Sequence, residues 1–168
     1  MARVLAFDCS STTGWACFAS ARAHPALGSF PLPSGLDYGR RNIAMLAQVR
    51  RLIDRFHPDI VAFEAPIFLP RDKWHTRRLL TGLVNMVELA AAERDLRCIE
   101  VDPGVVKAAM CGPRKKVGRK FKSASKDEMV IAAVNMGWHV ADDHQADACG
   151  VAVATYGHLH RMADGGIV

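Results

Sequence analysis

Two continuous apolar runs, each closed by an acid, constrain this chain more than anything else in it. Val4-Leu5-Ala6-Phe7 ends at Asp8, and Ile60-Val61-Ala62-Phe63 ends at Glu64. A short run without polar alternation reads as a strand buried on both faces. A carboxylate at the end of such a strand has its backbone held rigidly, so its oxygens can be aimed. A third acidic point lies far along the chain, where His144 and Asp147 stand three residues apart in Asp143-His144-Gln145-Ala146-Asp147-Ala148. Residues three apart on a helix share a face, with about 5–6 Å between Cβ atoms. Acidic groups from three distant segments make a divalent-metal site the leading idea.

The rest of the chain arranges itself around those runs. Thr13 to Phe18 reads as a second strand, reached through a Ser10-Ser11-Thr12 turn, and Leu27 to Phe30 as a short third. Pro31 to Gly35 breaks regular structure. From Tyr38 to Phe56 apolar residues recur at helical spacing, with arginines mostly on the other sides, which predicts an amphipathic helix. Pro58 separates it from the Ile60 strand. A loop with Pro66 and Pro70 follows, then a helix from about Trp74 to Arg94. Arg97 to Val101 is the last strand, and Pro103 opens a short helix through about Met110. Gly112 to Ser123 reads as an exposed loop. Ser125 and Glu128 match a capping box for the next helix, which stops near Gly137. Asp142 is placed to cap a final helix running to about Met162, with a frayed tail from Ala163 to Val168.

Three meandering strands followed by alternating helix and strand imply one α/β domain over residues 1–168. Its sheet is mixed and five-stranded, an antiparallel three-strand meander plus parallel strands, with helices on both faces. Sites in such sheets gather beyond the ends of central strands, where Asp8 and Glu64 fall. Half of the 168 residues are apolar, and no run approaches the roughly 18 apolar residues a membrane span needs. Met1-Ala2-Arg3 leads directly into a strand-like run, so a cytoplasmic protein is expected. The five cysteines form no CxxC pair and read as reduced thiols, which argues against zinc.

Charge adds a partner. Arg114, Lys115, Lys116, Arg119, Lys120, Lys122 and Lys126 place seven cations and no acid in one stretch. The chain as a whole carries +5, so everything outside that stretch sums to −2. A concentrated patch of this kind is the footprint of a polyanion such as nucleic acid, although a solvated loop would have the same composition. Phe68, Arg71, Lys73, Trp74, His75, Arg77 and Arg78 form a second candidate contact. Its cations would hold phosphates and its aromatics would stack on bases, unless Phe68 and Trp74 only anchor the loop. For phosphodiester hydrolysis with two ions, Asp8 is the candidate bridging ligand, Glu64 the ligand of one ion, and His144 and Asp147 the ligands of the other. Asp143 is an alternative to His144. An imidazole ligand would favour Mn²⁺ over Mg²⁺ more than an all-carboxylate set would.

These residues bring the chain to a family. It resembles the RuvC-type Holliday junction resolvases of the RNase H-like superfamily, over nearly its whole length. The likeness rests on Val4 to Asp8 with Thr13-Gly14-Trp15-Ala16, on Asp59 to Glu64, and on Val105-Val106-Lys107. It rests further on Gly118 to Lys126 and, most specifically, on His144-Gln145-Ala146-Asp147-Ala148. The resemblance implies an RNase H-like fold and a catalytic tetrad of Asp8, Glu64, His144 and Asp147 using two Mg²⁺ or Mn²⁺ ions. It implies that Lys107 and Lys126 contact DNA near the site, and that Phe68 is the nearest counterpart of an aromatic that probes the junction centre. It also implies a homodimer making paired nicks in branched DNA. Cys9-Ser10 stands where the family usually has Pro-Gly, and the basic segment is longer, both of which resemble phage or mobile-element members. The competing readings are a ribonuclease H, a general flap or fork nuclease, or a branched-DNA binder that does not cleave.

Overall fold

In the computed structural model, residues 2–35, 37–68, 70–113, 115–117, 120–122 and 124–163 are described. The apolar runs become strands β1 (Val4–Asp8) and β4 (Ile60–Glu64), paired in parallel with Phe7 opposite Phe63. β2 (Thr12–Phe18) pairs antiparallel with β1, and β3 (Ala26–Pro31) with β2. β5 (Arg97–Val101) lies parallel to β4 on the far side. The sheet order is therefore β3-β2-β1-β4-β5, the expected mixed five-stranded sheet, with the two acid-bearing strands adjacent at its centre.

Alternation along the strands sends side chains to two separate cores. Leu5, Phe7, Val61 and Phe63 pack on one face with helices α1 (Tyr38–Phe56) and α2 (Trp74–Ala92). Val4, Ala6, Ile60 and Ala62 pack on the other with α3 (Pro103–Cys111), α4 (Lys126–Asn135) and α5 (Asp143–Ala163). Phe7, Phe18 and Phe63 are almost completely buried, and each large apolar side chain buried this way stabilises the fold by roughly 1.5–3 kcal/mol. The Ser125–Glu128 capping box forms in both directions, closing the first turn of α4. Asp142 caps α5 as expected, its Oδ1 accepting from the Gln145 N–H at 2.8 Å.

One expectation is corrected. The segment 112–123 is not simply an exposed loop, because β6 (Lys115–Val117) and β7 (Lys120–Lys122) pair antiparallel as a small separate hairpin. Its tripeptides, Lys-Lys-Val and Lys-Phe-Lys, are too short and too charged for their β propensity to show in a sequence window. Arg114, Arg119, Gly118, Ser123 and the tail 164–168 lie outside the described residues. Among the described residues, all five cysteines are free and no helix is long and apolar enough to cross a membrane.

Candidate active site

The same alternation that fills the cores aims the acids. Asp8 continues the Val4–Ala6 series and Glu64 continues the Ile60–Ala62 series, so both point to the face that α5 covers. They stand on neighbouring parallel strands, one residue beyond the Phe7–Phe63 pair. The first turn of α5 then lies across β2. A Cβ on Gly14 would sit 2.0 Å from the His144 carbonyl oxygen, so only glycine allows this approach. Gly14 is in turn the β2 partner of Asp8. The helix is held there by Ser29 of β3, whose hydroxyl donates to Asp142 Oδ2 at 2.6 Å, and by Gln145, whose Oε1 accepts from the Ala141 N–H at 2.9 Å.

The closest contact in the centre is His144 Nδ1 to Asp8 Oδ2, 2.9 Å. Where Nδ1 donates to the carboxylate and the ring is neutral, Nε2 is the nitrogen left for a ligand. This hydrogen bond, more than any other influence, raises the His144 pKa. Glu64 is pushed up to about 7, first by burial and then by the charges of Asp8 and Asp147, with Lys107 opposing. Asp147 is pushed up to about 6, again by burial first and Asp8 second, with Lys126 and Lys107 opposing. The charge of Asp8 thus opposes the ionisation of both Glu64 and Asp147. Such crowding of acids, with an imidazole at its edge, is relieved by cations. Among the described residues, no group of three or more His, Cys, Asp or Glu side chains is arranged so that it could hold a metal ion as it stands. Asp143 is ion-paired with Lys126, which holds its carboxyl below the usual range.

The two sequence relatives, and some of the solved structures with this fold, are named RuvC. A crossover junction endodeoxyribonuclease RuvC of Moorella thermoacetica is 32% identical over 125 residues, covering 72% of this chain and 68% of the relative. The RuvC of Ruminiclostridium cellulolyticum is 28% identical over 134 residues, covering 77% and 73%. The chain belongs to the RuvC family. No protein-family model matches it. The RuvC fold is seen directly in T. thermophilus RuvC in complex with Holliday junction substrate, with a TM-score of 0.78 at 22% identity over 97% of both chains. The yeast mitochondrial Holliday junction resolvase Ydc2 superposes with a TM-score of 0.61 at 13% identity, over 99% of this chain and 85% of that one.

Within this RuvC frame the predicted contact residues fall in four places. Lys107, on α3, is half-buried and close enough to Glu64 and Asp147 to ease their ionisation. Lys126 opens α4 beside Asp143. Lys115, Lys116, Lys120 and Lys122 are on the hairpin, and Arg114 and Arg119 fall outside the described residues. Phe68 is 39% exposed with the Arg77 guanidinium 5.9 Å from its ring centre, and Arg71 and Lys73 are exposed nearby. Trp74 is 62% exposed, so it does not anchor its loop in the core. Sequence reasoning missed Gly14, Ser29 and Gln145 as the residues that seat α5. A glycine in mid-strand was the one available signal.

Proposed function

We propose that this RuvC-family chain is an endodeoxyribonuclease that resolves four-way DNA junctions by paired nicks, working as a homodimer. The observation that carries the catalytic part is the convergence of Asp8, Glu64 and Asp147 from β1, β4 and α5, with His144 bonded to Asp8. Asp8 is bonded to His144 and its charge acts on both Glu64 and Asp147, so it would be the ligand shared by two ions. Glu64 would hold one, and Asp147 with His144 Nε2 the other. Bound Mg²⁺ or Mn²⁺ supplies the activated water and stabilises the leaving 3′ oxygen of the scissile phosphodiester. The chain's own part is to keep these carboxylates ionised and aimed. Lys107 favours the charged forms of Glu64 and Asp147, and Lys126 restrains Asp143 from competing for the same place. The lysines of the hairpin and the cations of the 71–78 segment would meet the phosphates of the arms. The homodimer reading draws support from apolar surface that the core leaves uncovered, Leu89 on α2 and Ile43 on α1 at 43% and 68% exposed.

The test is cleavage of matched four-way, flap, duplex and RNA–DNA hybrid substrates with each metal. Symmetric paired nicks near the branch point are expected. Cutting confined to the hybrid would make the chain a ribonuclease H instead, and cutting confined to flaps a flap nuclease. Asp8→Asn should abolish cleavage while preserving junction binding, because it removes a negative charge facing phosphate. Cleavage surviving in that variant would refute the site assignment.

A further inference from the structure

A second concave site lies on the opposite face of the sheet from α5, between the N-terminal halves of α1 and α2. It encloses about 580 Å³, within the usual range for a small-molecule pocket, and its walls include Tyr38, Asn42, Trp74, Arg77, Arg78 and Asn85. The rings of Tyr38 and Trp74 are stacked, 6.4 Å apart at 30°. The Arg78 guanidinium caps both, 4.6 Å from the Tyr38 ring centre and 5.2 Å from that of Trp74. Trp74 is 62% exposed at the mouth of the groove, so its ring is accessible to a ligand. Asn42 lies against Gly82 on the wall, with its amide oxygen enclosed and, among the described residues, without a hydrogen-bond partner. Planar rings, guanidinium groups and amides in one groove match a nucleotide: a π-face, a phosphate and base-edge hydrogen bonds.

Topology puts this groove at the active-site end of the molecule. β3 runs parallel to β1, so the chain leaves it at Pro31, at the Asp8 end of the sheet. α1 starts at that end and finishes at the other, where the Phe56 carbonyl accepts from Arg3 just before β1. α2 likewise starts after the Glu64 end and returns toward Arg97, which pairs with Ile60. Both helices therefore present their N-termini, and the groove, at the sheet edge that carries Asp8 and Glu64. At the start of α2 the N-cap residue, Lys73, makes no side-chain capping hydrogen bond.

We infer that this groove holds one unpaired nucleotide of the branched substrate, its base stacked on Trp74 and Tyr38 and its phosphate met by Arg77 and Arg78. The role differs from that of Phe68, which lies outside the groove walls. The inference rests on the branched-DNA reading above, and gives the enzyme a reason to prefer junctions with open centres over continuous duplex.

The test uses the non-cleaving Asp8→Asn full-length protein, alone or with Trp74→Ala, Tyr38→Ala or Trp74→Phe. Affinities are measured by anisotropy for a four-way junction carrying unpaired thymines at its centre, and for a duplex of equal length. Losing one stacked base should weaken junction binding by roughly 5- to 150-fold and leave duplex binding unchanged, with Trp74→Phe retaining most of the affinity. Equal losses on both DNAs, or no loss on either, would overturn the inference while leaving the nuclease reading intact. So would a changed oligomeric state in Trp74→Ala, which would make Trp74 a subunit contact. If the parent protein does not prefer the junction at all, the branched-DNA reading itself fails.

Discussion

Replacing Glu64 with glutamine should make the metal-free protein more stable, and more so the higher the pH. Burial and the neighbouring charges of Asp8 and Asp147 hold the Glu64 carboxyl at about 7, against an ordinary value of 4.5. Between those values the folded chain keeps a proton that the unfolded chain has released. Stability therefore falls as pH rises through this window, and the loss is complete above pH ~7. At about 1.4 kcal/mol per tenfold change in proton activity, the whole window is worth ~3 kcal/mol. Glutamine keeps the shape and removes the ionisation, so Glu64→Gln escapes the loss. Between pH 5.5 and 8 the advantage of the variant should grow by ~2 kcal/mol, or roughly 4–8 °C in Tm for a domain of this size. Urea unfolding in the presence of a chelator, at several pH values, measures the difference. Adding Mg²⁺ or Mn²⁺ should then rescue the wild type more than the variant, because an ion bound only by the folded state stabilises it by mass action. Stability curves for the two proteins that stay parallel across pH would refute the claim that Glu64 is held in an acid-crowded site.

The remaining expectations concern activity. The cleavage rate at fixed metal should climb between about pH 6 and 8, as Asp147 (about 6) and then Glu64 (about 7) lose the protons that compete with cations; a rate flat across this range would remove them as ligands. Wild type should cleave faster with Mn²⁺ than with Mg²⁺, and His144→Asp should narrow that ratio; equal saturating rates in the wild type would dismiss the imidazole as a ligand. Changing Lys115, Lys116, Lys120 and Lys122 to glutamine should flatten the plot of log affinity against log salt by up to about 3–4 in slope; an unchanged slope would return the hairpin to an inert role. Gly14→Ala should cut turnover by ~10² or more while DNA binding persists, because the added methyl displaces the His144 carbonyl; near-normal turnover would show that α5 is free to shift.

Most of the framework was legible because each element carries its own local signal. Val4 to Phe7 and Ile60 to Phe63 could only be buried strands, and Ser125 with Glu128 could hardly be anything but a helix start. The acids were legible for the same reason, since a strand's end fixes the direction of its last side chain. What escaped was whatever depends on two segments meeting. Nothing around Gly14 announces a helix that arrives 130 residues later, and nothing around Tyr38 announces Trp74 across a groove. The hairpin escaped because three-residue strands rich in lysine carry almost no periodicity.

The positions of Asp143 and His144 show how such a meeting bears on what spacing leaves open. Both residues lie in the first turn of α5, within reach of Asp147 by helical spacing, and a carboxylate would be the more usual partner for Mg²⁺. The contact at Gly14 sets the rotation of the helix by bringing the His144 backbone onto β2 beside Asp8. With the helix seated that way, His144 turns its Nδ1 to Asp8 and Asp143 is carried outward to Lys126. Lys126 can wait there because the capping box fixes the start of α4. On the proposed assignment, the preference for His144 over Asp143 would trace to a glycine on one strand and a serine cap on a neighbouring helix.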